Sequence, residues 1–409
     1  MKTIRGDAQR PVQNLLSSLH PDCHGLDLPS LLNRIAAAAL VCASVSSVSG
    51  GTVIGWGVSW PGQLDCAGQQ AKAIAVGAQH SLLLRADGTV AGYGAWGWFW
   101  NGTPPDPPVT VPAELDHVVA VAAGCYHSLA LREDGTVVAW GLSDRGGTNV
   151  PPNLTNVVQI ATYGYIASSS LALTAEGRVV AWGSNAAPVP SGLSNVVAVS
   201  VGTGGLALQA DGTVVGWGWP QEISSKFGLL TNVVAISGGC GCVLALMADG
   251  KVVAIDQFYQ PPAGLSNVVK IAASPGNDHH LDMALKADGK VVGWGFDFSA
   301  DPWVGGVPFA PASVSNATAI ASGYENNLAL DGDGPPLAHA WIAAQRTPAG
   351  LTVTVATKSG QVYALEYTTS LEQPDWKLLF PLVAGDGTVR LLTDPSVSDR
   401  QRFYRVRSW

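Results

Sequence analysis

Between residues 51 and 334 the chain alternates short apolar runs with Gly, Pro, Asp and Asn breaks, and two phrases recur in fixed order. The first occurs seven times: GTVIGWG (51–57), GTVAGYG (88–94), GTVVAWG (135–141), GRVVAWG (177–183), GTVVGWG (212–218), GKVVAID (250–256) and GKVVGWG (289–295). The second also occurs seven times, from KAIAVGAQHSLLL (72–84) and VVAVAAGCYHSLAL (118–131) to ATAIASGYENNLAL (317–330). Runs of 4 to 7 β-branched and aromatic residues read as strands. Asp-Gly between the second phrase and the next GTV phrase is a hairpin signal, because Gly takes the positive φ of a tight turn. Three strands are visible per unit, as in VVAVAAG, HSLAL and TVVAWG. From Gly88 to Gly289 the GTV phrases are spaced 47, 42, 35, 38 and 39 residues apart, which leaves room for a fourth strand. Four short strands on a period near 40 predict the blade of an all-β propeller.

The chain opens this region on a lone GTV phrase and closes it on a lone second phrase, with six complete units between them. Joined, the two halves make a seventh unit. Residues 52–57 are therefore expected to pair with 317–330 in one blade, giving a seven-bladed β-propeller with circular closure. Closure removes exposed sheet edges, whereas an open solenoid needs caps that are not visible.

The pattern VVAVAAG-x-x-HSLAL-x-x-DGTVVAWG resembles the regulator-of-chromosome-condensation repeat, whose family folds as a seven-bladed β-propeller. The resemblance covers 51–334 and is weakest at 157–173, which carries extra residues, and at 250–256, where Ile255-Asp256 replaces Trp-Gly. It implies a binding function. Eponymous members exchange nucleotide on a small nuclear GTPase and bind chromatin, while some exported members inhibit an enzyme with loops on one propeller face. No exchange-factor residue carries over position by position.

The flanks read differently. Lys2, Arg5, Arg10 and Arg34 precede an apolar run, Ile35 to Ala43, and then small residues from Ser44 to Gly50, the pattern of an export leader over 1–50. A buried Ala-rich helix is the alternative. A leader implies a secreted, periplasmic or cell-surface protein. After a linker at Asp331–Pro336, five strand-like runs (351–357, 362–370, 376–383, 388–394 and 402–409) predict a small C-terminal β-sandwich over 335–409.

Composition narrows the function classes. The chain of 409 residues is 47% hydrophobic and 13% charged, with 48 Gly, 26 Pro and 3 Met, which excludes disorder and disfavours a helical fold. No apolar run reaches the roughly 18 to 20 residues that span a bilayer. Residues 51–336 hold 10 Lys+Arg against 21 Asp+Glu, a net of −11, the wrong sign for a nucleic-acid partner. Residues 337–409 hold 8 against 6.

Candidate chemistry is sparse. His80 and His127 share a repeat position that elsewhere becomes Ser170, Gly205 or Cys242, as expected of packing or hydrogen-bonding groups rather than a single active site. His279-His280, with Asp278 and Asp282, is the densest polar cluster, but adjacent strand residues face opposite ways and make a poor metal site. Cys66, Cys125, Cys240 and Cys242 read as free thiols, since equivalent positions in separate blades lie beyond disulfide reach. Trp56, Trp140, Trp182, Trp217 and Trp294 follow the repeat and read as interblade core. Phosphate-loop and nucleophile-elbow motifs are missing, so no catalytic residue, metal or cofactor is predicted and the protein reads as non-enzymatic.

Further aromatics follow the GTV phrases in Gly/Pro-rich stretches: Trp60; Trp96, Trp98, Phe99 and Trp100; Trp219; Phe258 and Tyr259; Phe296, Phe298 and Trp303. Tyr126 and Tyr324, in the loops after the Gly of the second phrase, form a second set. These rings either cover outer blade edges or form a ligand surface. A protein partner is the first expectation, carbohydrate the second, and nucleotide exchange the third, on resemblance alone.

Overall fold

A computed structural model describes residues 50–409 apart from 58, 60–61, 96–108, 143–144, 164–167, 256–258, 277–280, 296–309, 325, 333–341, 348–349, 371–374 and 396–401. Seven antiparallel sheets form blades one to seven, beginning with Ala73–Val76, His80–Leu84 and Val90–Gly94 in blade one. The first strands of all seven blades touch one another in a closed circle, so they form the inner ring. Each blade's second strand packs on the first strand of the next blade. The tryptophans of the GTV phrase fill these junctions: Trp140 lies among Leu82, Leu84 and Ala130, and Trp56 among Met283, Leu285 and Ala329.

The ring closes as the phrase order requires. Gly51–Gly57 pairs with Asn326–Asp331, from Thr52 opposite Asp331 to Gly57 opposite Asn326, and Asn326–Asp331 pairs with Ala317–Ser322. The two weakly matched units build the same three-stranded blades. In blade five Ile255 takes the tryptophan's place at the end of its strand, 3% exposed.

The expected fourth strand is a point of difference. Only blade seven has one among the described residues, the two-residue strand Gln70–Ala71. After blade three, residues 183–195 form turns. After blade four a short helix, Gln221–Ser224, and a 3-10 turn, Phe227–Leu229, cover the outer strand, and the Phe227 ring occupies the space where Gly216 would carry a Cβ. The extra length thus returns the chain to the inner ring and pads the blade, which Pro and Asn do more readily than a strand.

Each Asp-Gly turn is held by its own side chains. Asp87 Oδ1 accepts from the Thr89 N–H (2.9 Å) and Oγ1 (2.7 Å), a pairing repeated at Asp134–Thr136 and Asp211–Thr213. Gly88 and its counterparts have φ between 78° and 82°, which disfavours any residue with a Cβ. The residue before several inner strands is also left-handed (His117, Asn156, Asn195, Asn232, Asn267), and its carbonyl accepts from the adjoining turn, as Asn156 does from the Ala175 N–H (2.9 Å). That geometry explains the recurrent Asn-Val-Val.

Six further strands end the chain, one more than the five predicted, the addition being Ile342–Thr347. They form two three-stranded sheets. One orders Ile342–Thr347, Gly350–Ala356 and Val389–Asp394; the other orders Lys377–Ala384, Val362–Thr368 and Phe403–Ser408. Leu351, Val353, Val355, Leu365, Leu392 and Val406 share one core. Of the second sheet, Val362, Ala364 and Leu382 belong instead to a cluster with Val197, Val233 and Val234 of blades four and five. The Leu382 N–H donates to the Ala210 carbonyl (2.8 Å), and the Phe380 ring lies where Gly212 would carry a Cβ. The C-terminal strands therefore sit on the propeller face that carries the Asp-Gly turns.

Candidate partner-binding face

All first strands run toward the opposite face and end there in the Gly-x-x loops. The glycine is needed for close approach. A Cβ on Gly77 would lie 2.2 Å from the Gly124 carbonyl oxygen of the next blade; on Gly202 it would lie 2.2 Å from Gly239 O, and on Gly239 2.2 Å from Ser274 O. The next N–H uses that proximity: Cys125 N donates to Tyr163 O, Thr203 N to Gly239 O and Cys240 N to Ser274 O, each at 3.1 Å. Backbone bonds thus tie each of these loops to its neighbour.

Buried side chains add a second set of stitches. His80 Nε2 is hydrogen-bonded to Ser128 Oγ of blade two (2.9 Å), and His127 Nε2 to Ser170 Oγ of blade three (2.8 Å). Burial pushes His80 down to about 3, with His127 nearby adding to the effect, and burial pushes His127 down to about 4. Both imidazoles are therefore neutral structural groups at ordinary pH. In blade five Cys242 occupies the histidine position, and its thiol donates to the Asp282 carboxylate of blade six (3.6 Å), which also accepts from the Ser274 N–H (3.0 Å). Strand pairing makes Ser169 and Gly204, not Ser170 and Gly205, the counterparts of the histidines, because Ser170 and Gly205 face the tryptophans Trp182 and Trp217. Cys66, Cys125, Cys240 and Cys242 form no disulfide among the described residues.

Tyr163, which sequence reasoning did not single out, stands where five other blades have the loop glycine and blade six has Ser274. Its side chain is buried and spans from blade three to blade six, where its hydroxyl donates to the Pro275 carbonyl (3.4 Å). Burial raises its pKa, with Cys240 adding to the effect. The departure from the Gly of five other blades was the available signal.

The predicted aromatics separate into three groups. Trp219 is not at the surface: it is 7% exposed, donates from Nε1 to Gly205 O (2.9 Å) and meets Phe227 edge-on at 6.3 Å. Tyr259 is half-buried against the core of blades five and six. Tyr126 and Tyr324 remain at the loop face, both half-buried. The Tyr126 carbonyl accepts from Leu142 N (2.8 Å), and the Arg145 guanidinium stands 5.5 Å from its ring centre. Trp60, Trp96, Trp98, Phe99, Trp100, Phe258, Phe296, Phe298 and Trp303 lie outside the described residues, as do Asp278, His279, His280 and residues 1–49 of the segment 1–50 expected to be a leader. Of the sequence-predicted binding residues, the described structure brings only Tyr126 and Tyr324 to one face.

Residues 118–146, which span the blade-two strands and the Tyr126 loop, match the family model of the regulator of chromosome condensation (RCC1) repeat. Blade two is thus similar to an RCC1 repeat, set within a seven-bladed propeller. Solved structures carry the same fold. The chain is 19% identical to human WBSCR16 over 69% of its own length and 100% of the other, with a TM-score of 0.51. It is 19% identical to Prp20p from Saccharomyces cerevisiae over 71% and 94%, with a TM-score of 0.52. It is 18% identical to yeast RCC1 (Prp20) bound to Kap60 over 74% and 92%, also with a TM-score of 0.52. No curated relative matches the chain. No helix among the described residues is long and apolar enough to cross a membrane.

Proposed function

We propose that this chain is an exported, non-enzymatic propeller that holds a protein partner on its loop face. Its parts are a leader over 1–50, the propeller over 51–334 and an accessory β-sandwich over 335–409. The observation that carries the reading is a division of labour within the loops. Their backbones are tied blade to blade through a recurrent glycine, while the side chains beside it change around the ring: Ala78-Gln79, Cys125-Tyr126, Thr203, Cys240 and Tyr324. A fixed frame with variable side chains suits recognition, since little ordering entropy is lost on binding. The other face is partly taken up by the C-terminal strands. Tyr126, flanked by Arg145, and Tyr324 supply the residue types that dominate protein hot spots. Prp20p, of similar fold, is described by its binding to Gsp1p and histones, and in another structure it is bound to Kap60.

The test uses the full chain as bait against the secreted proteins of its source. A Tyr126→Ala/Tyr324→Ala variant is expected to keep its melting temperature and to lose roughly 2 kcal/mol of affinity for the partner that the wild type retains. Undiminished capture by a folded double variant would overturn the assignment of the face. Amino-terminal sequencing should find a mature start near residues 46–51, and Met1 retained on an intracellular product would refute export.

A further inference from the structure

The C-terminal sheet that faces away from the propeller ends on an unguarded strand. In the order Ile342–Thr347, Gly350–Ala356, Val389–Asp394, the last strand is an edge among the described residues. Val389 is 61% and Leu391 63% exposed, and they are the only large exposed hydrophobics that share one described element. Thr393 beside them is exposed as well, so one face of this edge shows Val, Leu and Thr in line.

The same three residues offer their backbone. Thr388 O accepts from the Thr357 N–H of the neighbouring strand (2.9 Å). Antiparallel pairing alternates, so Arg390, Leu392 and Asp394 also turn their peptide groups inward, and Val389, Leu391 and Thr393 turn theirs to the open side. The edge strand Lys377–Ala384 of the other sheet carries guards that block strand addition, in Lys377, Pro381 and a register shift. The charges of Val389–Asp394 are already paired within the chain, Arg390 with Asp386 (2.7 Å) and Asp394 with Arg402 (2.6 Å).

We propose that Val389–Asp394 pairs antiparallel with the same strand of a second copy of this chain, about a two-fold axis through Leu391. The strand is its own complement in that register. Leu391 meets Leu391 of the second copy and Val389 meets Thr393, in both directions, giving three pairs that each exchange two hydrogen bonds. Centring on Leu392 instead would set Val389 opposite Pro395, which has no N–H, and would separate the leucines. An isologous contact of this kind closes at two copies and joins two three-stranded sheets into one of six. Because one edge buries little area, the dimer is reversible and concentration-dependent.

Sedimentation equilibrium of the full chain across a dilution series tests this. The sedimenting mass should double with rising concentration. Leu391→Lys, at an exposed position, should stay at the monomer mass and melt as the wild type does. Paired Cα atoms in such a register are about 5.5 Å apart, within disulfide reach. Leu391→Cys should therefore crosslink to itself under mild oxidation, with the wild type as control for the native thiols. Val389→Cys should not, because the two copies of residue 389 are four positions apart. A wild type that stays monomeric throughout, a Leu391→Lys dimer, or equal crosslinking at 389 and 391 would each overturn the proposal. Binding of an added strand peptide by a monomeric wild type would overturn it too, in favour of a foreign strand.

Discussion

Mild acid should loosen the ring through its two buried histidines. His80 and His127 are fully buried, each hydrogen-bonded to a serine of the next blade, and burial holds them at about 3 and about 4 against an ordinary 6.5. Between those values the unfolded chain binds more protons than the folded one, so their stabilising contribution is present above 6.5 and is lost as the pH falls. At about pH 5 an unfolded histidine gains about 2 kcal/mol from protonation that the buried ones cannot share, so the pair costs about 4 kcal/mol relative to about pH 7. That is a large share of a typical stability of roughly 5 to 15 kcal/mol. Asp87, Asp134 and Asp211, held below the ordinary 3.8 chiefly by the threonine hydroxyls beside them, titrate lower still and do not mask the effect. Urea unfolding followed at both pH values gives the slope directly. A His80→Gln/His127→Gln variant is less stable at neutral pH but should lose most of the pH dependence between about pH 7 and about pH 5. A variant as acid-sensitive as the wild type would refute the assignment.

Trp56→Ala should cost about 3 to 5 kcal/mol in urea unfolding, because the ring is 5% exposed and binds the first strand of the chain to blades six and seven; a loss below about 1 kcal/mol would mean that closure rests on the backbone ladder alone. Phe380→Ala should release the C-terminal sheets from the blade-four turn and speed proteolysis near residue 340 without lowering the propeller's melting temperature, and unchanged cleavage would mean that Leu382 and Val362 hold the contact without it.

The ring was readable from sequence because its determinants are local and repeated. A glycine opens all seven GTV phrases, alternating apolar runs follow each, and a tryptophan ends five of the seven, so the repeated signal survives the drift of Ile255 and the insertion before Ser168. After blades three and four the spacing leaves room for a fourth strand that does not form, since spacing reports length and not conformation; the turns and extended segments at 183–195 and the Phe227 turn fill that space instead. Trp219 looked like a loop ring because it follows Trp-Gly, and its burial depends on Phe227 and Gly205, contacts made only after the chain turns back. Tyr163 was passed over for the opposite reason: its partner Pro275 lies 112 residues away, across the ring. The side on which the C-terminal strands settle depends on Gly212 meeting Phe380, a pairing between two segments with no shared motif.

The shared seventh blade also sets an order of events. Gly51–Gly57 leaves the ribosome first among the propeller strands, yet its partner Asn326–Asp331 is made last, so the blade cannot exist until nearly the whole ring has been synthesised. Six blades are each built from neighbours in sequence and can form as they emerge; the seventh needs a loop of some 270 residues to close. The opening strand, paired on one side with Gln70–Ala71 alone, must therefore travel with its other edge unsatisfied for the length of propeller synthesis. Completion is a single late step, and a truncation anywhere before residue 331 leaves a stack of blades with two raw ends rather than a smaller ring.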